Sequence, residues 1–150
     1  MKIRIEIDEK IQEEEVIIRS PVLDERIRRI QTVVAEAAAR EKTMSFLKGD
    51  TEYYLPLRKI LFFETDGDEI YAHTADDAYK SKYRLYELEE LLPGYFMRVS
   101  KSTILNIKSI YAINRSVSTS CTVQFQKSYK QVYVSRHYYK PLRNRLEEKR

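Results

Sequence analysis

The sequence predicts a mainly β protein with a few short helices at the edges of the β core. From Lys42 onward, short apolar runs recur at regular spacing and are separated by turn signals, which is typical of an all-β core. Gly49-Asp50 and Asp66-Gly67-Asp68 each divide two such runs, as in β-hairpins. Residues 1 to 41 differ from this pattern and predict a small strand-strand-helix unit.

The N-terminal unit carries two strand patterns followed by a helix pattern. Residues 2 to 7 alternate isoleucine with charged side chains, which is the period of a half-buried strand, and residues 16 to 18 predict a second strand. Ser20-Pro21 favours a helix start, and apolar residues at helical spacing predict an amphipathic helix over residues 21 to 41. About 40 residues cannot bury this stripe alone, so we expect the unit to pack on the rest of the chain or on a second copy.

Residues 42 to 150 predict a chain of short strands interrupted by two helices. The predicted strands are, in chain order, residues 43 to 47, 52 to 55, 60 to 64, 70 to 74, 78 to 84, 107 to 113, 121 to 125 and 132 to 134. A short helix is expected over residues 85 to 92, because leucines at helical spacing precede Pro93-Gly94. Ser135 is expected to cap a closing helix that runs to Leu146.

Length and cysteine content limit the class of protein. A chain of 150 residues is long enough for one domain with a core and a short accessory element. No apolar run approaches the roughly 18 residues of a membrane span, and the first residues lack an apolar signal core. Cys121 is the single cysteine and cannot form an internal disulfide, so we expect a cytoplasmic location.

The charge is unevenly distributed along the chain. Residues 101 to 150 contain 11 of the 27 lysines and arginines but 2 of the 23 acidic residues, a net charge of +9, which leaves −5 on residues 1 to 100. A basic end on an acidic body is typical of a protein that binds a polyanion such as nucleic acid. A solvated basic helix face would give the same count.

The residues with reactive side chains form no catalytic or metal-binding pattern. His73 and His137 lie in different segments, and neither has the spacing of a metal ligand set. Cys121 alternates with apolar neighbours and is expected to be a core thiol. The three glycines form no phosphate-binding loop. We therefore expect no enzymatic activity, no cofactor and no metal.

Residues 96 to 106 interleave strand-forming apolar residues with short polar and basic ones. Lys101 suits a guanine edge or a phosphate, and Ser100 and Ser102 suit phosphate oxygens. These residues predict a loop that binds DNA. A polar surface turn would have the same composition, and that alternative stays open.

A second candidate binding segment begins where the closing helix is expected to start. Arg136 is its strongest candidate, because a planar guanidinium can bind two acceptors on one base. Free amides at a helix start favour a phosphate, and His137 and Lys140 lie nearby in the sequence. Lys108 is a further candidate for phosphate contact.

Several ordered pieces of the chain, over roughly residues 43 to 147, resemble the LytTR family of bacterial DNA-binding domains. They are Ile60-Leu61-Phe62-Phe63-Glu64, Leu85-Tyr86-Glu87-Leu88-Glu89, Phe96 with Arg98, Ser100-Lys101-Ser102 with Asn106, and Val134-Ser135-Arg136. Any one piece is a weak signal, but their order and spacing make the resemblance specific. It implies an elongated LytTR-type β sandwich whose loops, rather than a recognition helix, enter successive major grooves.

The resemblance also implies roles for individual residues. By position, Lys101 and Arg136 look like the residues of the family that contact bases. A third contact usually comes from the turn after the Phe-Phe-Glu strand, which here contains Asp66, Asp68 and Glu69. That turn is acidic, so the resemblance implies at most an Asp that accepts a hydrogen bond from a cytosine amino group.

The segment before this domain is too short for a receiver domain, so the chain resembles the stand-alone members of the family. Such members are commonly restrained by a small membrane protein, which is a candidate partner here. The N-terminal unit, residues 1 to 41, is the expected site of homodimer formation or partner docking, and residues 42 to 150 are the expected DNA-binding domain.

Two other functions compete with a regulator that binds double-stranded DNA. The 12 tyrosines favour an RNA or single-strand binding module in which bases stack on aromatic rings. A protein-interaction module without DNA binding would use the acidic turn 65 to 69 and the N-terminal helix. A preference for unpaired nucleic acid would identify the first, and normal folding without nucleic-acid affinity would identify the second.

Overall fold

The computed structural model describes residues 1–38, 42–115 and 121–148. The chain divides into two compact units, Met1–Arg40 and Glu41–Arg150. The second unit is mainly β with short helices, which confirms the predicted fold class.

The described part of the first unit contains the helix α1, Glu25–Ala38. Its start is capped by Asp24, whose Oδ1 accepts a hydrogen bond from the Ile27 amide at 3.0 Å. The predicted start at Ser20-Pro21 is therefore wrong, because the Ser20 hydroxyl instead donates to the Val22 carbonyl at 2.7 Å in a local turn. Residues 39 to 41 of the predicted helix lie outside the described residues.

The two strands predicted in the first unit do not form in this single chain. Residues 2 to 7 and 16 to 18 belong to no strand of the described structure. A strand forms only where a second strand pairs with its amides and carbonyls. The alternating pattern indicates that a segment can form a strand, but it does not indicate that the same chain contains a second strand to pair with it. Ile3, Ile5 and Ile7 consequently remain 89%, 84% and 91% exposed.

The second unit is built around a seven-stranded antiparallel sheet. Its strands are β1 (Thr43–Lys48), β2 (Thr51–Pro56), β3 (Phe62–Asp66), β4 (Glu69–His73), β5 (Ala78–Ser81), β6 (Phe96–Ser100) and β7 (Thr103–Asn106). They lie side by side in the order β2-β1-β5-β4-β3-β7-β6. Gly49 and Gly67 adopt φ of 62° and 63° in the β1–β2 and β3–β4 turns, a backbone conformation that glycine adopts without steric cost.

A smaller three-stranded sheet and two helices complete this unit. The strands are β8 (Ile110–Arg115), β9 (Cys121–Phe125) and β10 (Gln131–Val134), in the order β10-β9-β8, and the helices are α2 (Leu85–Leu91) and α3 (Arg136–Glu147). The predicted strand ends differ from the observed ones by at most two residues except at two places, where the difference is three residues. The β5 strand stops at Ser81, whose hydroxyl accepts from the Tyr83 amide at 3.1 Å, and Ile107–Ser109 is a 3-10 turn rather than the start of β8.

The large sheet is packed on both faces. Phe62 belongs to a core cluster shared with β9, β10 and Leu142 of α3, whereas Phe63 belongs to a second cluster that includes Leu88 of α2. Successive strand residues point to opposite faces, so adjacent phenylalanines serve different cores. Cys121 is buried in the first cluster, and burial raises the pKa of its thiol.

A polar connection joins the two sheets around His73, the last residue of β4. The Ser128 hydroxyl donates to the Ala75 carbonyl at 2.8 Å, and the Lys130 Nζ lies 3.2 Å from His73 Nδ1. The His73 ring also stacks on Phe62 with 4.3 Å between ring centroids. Burial, and then the Lys130 ammonium, lower the pKa of His73 to about 4, so this imidazole is neutral near pH 7.

Candidate nucleic-acid interface

The β6–β7 hairpin presents Lys101 and Ser102 in an exposed turn. Ser100 is different: it is 8% exposed, and its Oγ accepts a hydrogen bond from the Ser102 amide at 3.2 Å. The two serine hydroxyls are 3.3 Å apart. Ser100 therefore shapes the turn from inside, and Lys101 projects from it.

Arg98 holds this turn in place. Its Nε donates to the Ser100 carbonyl at 2.9 Å, and its guanidinium also donates to the Lys101 carbonyl. The same guanidinium forms an ion pair with Glu89, in α2. Arg98, a basic residue of the segment 96 to 106, is thus engaged within the protein. Two of its partners are main-chain carbonyls two and three residues away, and the third, Glu89, lies nine residues away in α2.

Replacing Arg98 with glutamine is expected to lower the free energy of unfolding by about 1 to 2 kcal/mol, because charge-assisted hydrogen bonds to two carbonyls are lost. Urea unfolding measures this change. The control is Arg84→Gln, which removes an exposed arginine at the start of α2. Equal unfolding midpoints for Arg98→Gln and the control would contradict the role of Arg98.

The start of α3 is tied directly to the strand that leads into this turn. The Ser135 amide donates to the Val99 carbonyl at 2.9 Å. Ser135 occupies the N-cap position, but its side chain makes no capping hydrogen bond, so the predicted side-chain cap is wrong. The backbone bond to β6 fixes where the helix begins and places Arg136, the first residue of α3, close to the β6–β7 turn.

The exposed side of the first turns of α3 is basic. Arg136 and Lys140 are both exposed and lie four residues apart, which places them on the same helix face. His137 is exposed as well, and its ring meets Tyr138 edge-on at 5.1 Å. On the inner side, Leu142 is fully buried, which anchors this helix to the core.

The acidic turn between β3 and β4 is held beside the same hairpin. The Thr65 amide donates to the Ser102 carbonyl at 2.9 Å. Asp66 and Asp68 are exposed in this turn, whereas the Glu69 carboxylate forms an ion pair with Lys80 at 3.1 Å. Two backbone hydrogen bonds therefore bring all three predicted loops to one end of the sheet; we call residues 65–69, 100–103 and 135–140 the three-loop surface.

Lys108 is the predicted contact that the fold separates from the three-loop surface. It follows β7 at the end opposite the Lys101 turn, after four strand residues that span roughly 13 Å. Its Nζ lies 4.6 Å from the centroid of the Tyr95 ring.

A family model described as the LytTr DNA-binding domain matches residues 50–147. The chain belongs to the LytTR family. The matched range includes the whole three-loop surface, so this end of the protein is part of a LytTR DNA-binding domain. The family is one of DNA-binding domains and not a class of enzymes.

A solved structure shares the LytTR fold. The LytTr DNA-binding domain of a methyl-accepting/DNA response regulator from Bacillus cereus matches with a TM-score of 0.63 and 24% sequence identity, over 71% of this chain and 96% of that one. This likeness concerns the fold.

Relatives of this LytTR protein extend over almost the whole chain. HTH-type transcriptional regulators of Staphylococcus aureus strains MSSA476 and MW2 are each 26% identical over 147 residues, 97% of this chain and 98% of their own length. A regulator of the same description from strain bovine RF122 / ET3-1 is 26% identical over 148 residues. In the described structure, strands lie between successive α-helices, unlike a helix-turn-helix motif, in which a short turn joins two helices.

The part of the chain that the structure describes contains neither a metal-binding cluster nor a membrane-spanning helix. Within residues 1–38, 42–115 and 121–148, no three His, Cys, Asp or Glu side chains are grouped so that they could hold a metal ion. Among the helices of these same residues, none is long and apolar enough to cross a membrane.

Proposed function

We propose that this LytTR protein is a sequence-specific transcription regulator that inserts two loops, around Lys101 and Arg136, into the major groove of double-stranded DNA. The observation that carries the proposal is the pair of backbone hydrogen bonds, Ser135 to Val99 and Thr65 to Ser102, that fixes the three loops at one end of the sheet. Loops held in this way present their side chains to a duplex without first being ordered, which reduces the entropic cost of binding.

Each exposed side chain of the three-loop surface has a chemically suitable target. Lys101 suits the acceptors of a guanine edge, and the fork of Arg136 suits two acceptors on one base. We assign phosphate contacts to Ser102, His137 and Lys140, which are exposed and carry groups that bind phosphate oxygens. Asp66 and Asp68 are exposed and could accept a hydrogen bond from a cytosine amino group. Their carboxylates repel phosphates, so in this proposal the turn faces the edge of a base and not the DNA backbone.

Ser100 and Lys108, which the sequence predicted as phosphate contacts, are not phosphate contacts in this proposal. The Ser100 hydroxyl is used within the β6–β7 turn, and Lys108 lies at the far end of β7. The phosphate contacts that we retain all belong to the three-loop surface.

Regulation of transcription is the role that the names of the Staphylococcus aureus relatives give to those proteins. For this chain we propose the same role, exerted in the cytoplasm by a homodimer on repeated promoter sites. The N-terminal unit is the proposed site of dimer formation.

Selection of random duplex DNA by the purified protein tests this function. Recovered pools are sequenced and their binding is measured at two salt concentrations, because phosphate contacts weaken with salt. A repeated short motif that is lost with Arg136→Ala supports the regulator. Weak, salt-sensitive binding without a motif, or stronger binding to unpaired RNA or DNA, would overturn it.

Replacing Lys140 with alanine is expected to weaken binding to specific and random duplexes alike and to reduce the slope of log affinity against log salt by about one unit. The reason is that a phosphate contact releases counterions but carries no sequence information. Titrations at four salt concentrations measure the slope. Lys108→Ala is the matched control, because it removes the same charge beyond the three-loop surface; a fall in its slope would restore Lys108 to the phosphate contacts, and an unchanged slope in Lys140→Ala would remove Lys140 from them.

A further inference from the structure

The sequence of residues 2 to 8 is complementary to itself in antiparallel pairing. We infer that these residues pair antiparallel with the same residues of a second copy of this chain, centred on Ile5, to form the dimer contact. The inference rests on the homodimer of the proposed function and specifies the segment and register through which it forms.

The apolar side chains of this segment have no covering surface in the single chain. Ile3, Ile5 and Ile7 are 89%, 84% and 91% exposed, and the described residues 1 to 8 belong to no helix or strand. Arg4 Nη2 and Glu6 Oε1 are 3.1 Å apart. Side chains two positions apart share one side of an extended strand, so the Arg4–Glu6 ion pair is compatible with a strand in which the isoleucines occupy the other side.

One antiparallel register satisfies every side chain of the segment. With Ile5 opposite Ile5 of the second copy, Ile3 meets Ile7 and Arg4 meets Glu6. Lys2 then meets Asp8. One face of the two-stranded ribbon thus carries only isoleucines. The other face carries four ion pairs, because the Lys2–Asp8 and Arg4–Glu6 pairs each occur twice by symmetry.

The alternative registers each create a conflict. Shifting the pairing by two residues in one direction places Arg4 opposite its own copy, and shifting it in the other direction places Glu6 opposite its own copy. Like charges directly opposite one another destabilise a pair of strands. A shift by one residue puts isoleucines against charges, and a parallel pairing in register puts Lys2, Arg4 and Glu6 each against its own copy.

The pairing has two-fold symmetry, which is the commonest form of homodimer contact. A two-stranded ribbon is marginal without a surface for its apolar face. The same N-terminal unit leaves Leu23 and Val33 64% and 60% exposed, so it contains further apolar surface for that face.

Charge reversal tests the register directly. Arg4→Glu and Glu6→Arg each replace two attractive cross-strand pairs by two repulsive ones, so each variant alone is expected to dimerise about tenfold more weakly in sedimentation equilibrium. An equal mixture of the two variants restores opposite charges across the contact and is expected to recover the wild-type affinity, as is the double variant. Unchanged dimerisation of the single variants, or no recovery in the mixture, would overturn the inference.

Cysteine cross-linking tests the centre of the register. Residues directly opposite in antiparallel strands have Cα atoms about 4.5 to 5.5 Å apart, within the range of a disulfide. Ile5→Cys is therefore expected to give a covalent dimer with an oxidant such as copper phenanthroline. Ile3→Cys is the matched control, because its own copy would lie four residues away along the ribbon, roughly 13 Å; both variants retain the buried Cys121. Cross-linking of Ile3→Cys as fast as Ile5→Cys would contradict the register.

These measurements are made without DNA, so they separate the dimer contact from the proposed function. If the wild type dimerises through residues 2 to 8 but selects no DNA motif, the strand pairing stands and the regulator fails. If the charge-reversal mixture fails to recover while a motif is selected, the regulator stands and the strand pairing fails.

Discussion

Replacing Arg136 with alanine is expected to weaken binding to the selected duplex by about 1 to 3 kcal/mol and to relax discrimination at one base position, while binding to random duplex changes little. Arg136 is exposed at the start of α3, where the hydrogen bond from Ser135 to Val99 fixes the backbone. A guanidinium held there can bind two acceptors of a guanine, a contact that alanine cannot make. Fluorescence anisotropy with labelled selected and scrambled duplexes at one salt concentration measures both effects.

Two further variants isolate the contribution of the guanidinium fork. Arg136→Lys keeps the charge but loses the bidentate geometry, so it is expected to retain binding to random duplex and to lose base discrimination. Arg143→Ala removes an equal charge later in the same helix, from a side chain that pairs with Glu147 at 3.3 Å, and is expected to leave discrimination intact. Equal losses on both duplexes for Arg136→Ala would show that this arginine contacts phosphate only.

The folded protein is expected to lose on the order of 3 kcal/mol through His73 as the pH falls from about 6.5 to about 4. The folded state holds this imidazole neutral until about pH 4, whereas the unfolded chain protonates it near its ordinary pKa of 6.5. Between these values the unfolded state binds more protons, so falling pH favours unfolding, and the contribution is fully present only above pH 6.5.

Urea unfolding of the wild type and of His73→Gln between pH 7.5 and 4 measures this effect. The wild type is expected to lose more stability over that range than the glutamine variant, which has no proton to bind at this position. Lys130→Met provides a second comparison, because removing the ammonium 3.2 Å from Nδ1 is expected to raise the pKa of His73 and so to narrow the pH range of the loss. Parallel curves for wild type and His73→Gln would contradict the assignment.

Much of the β fold could be predicted because turn residues in the sequence mark where many of its strands end. The β3–β4 hairpin has apolar runs on either side of a glycine that the turn requires at φ 63°. The leucines of α2 sit at helical spacing directly before Pro93. The strand predicted for residues 2 to 7 is absent, because alternation shows that a segment can form a strand but not that the same chain contains a second strand to pair with it.

The residues of the candidate site could be predicted from the sequence, but the hydrogen bonds that bring its segments together could not. Lys101 and Arg136 stand in segments whose composition indicated binding, and both are exposed. The link between those segments is a hydrogen bond between main-chain atoms, Ser135 to Val99, which no side-chain pattern records. Likewise, the small polar Ser100 suits both a phosphate and a tight turn, and only the fold shows that its hydroxyl is used in the turn.

In the DNA complex that we propose, the backbone hydrogen bonds that join the three loops also bear on which partner changes shape. In the proposed complex the backbone hydrogen bonds of Thr65 to Ser102 and of Ser135 to Val99 hold the loops together, so we expect the duplex rather than the protein to bend or to alter its groove width. The energy of that deformation depends on base steps that the protein never touches. Operators should therefore differ in affinity through the flexibility of their spacer sequences, even where every contacted base is the same.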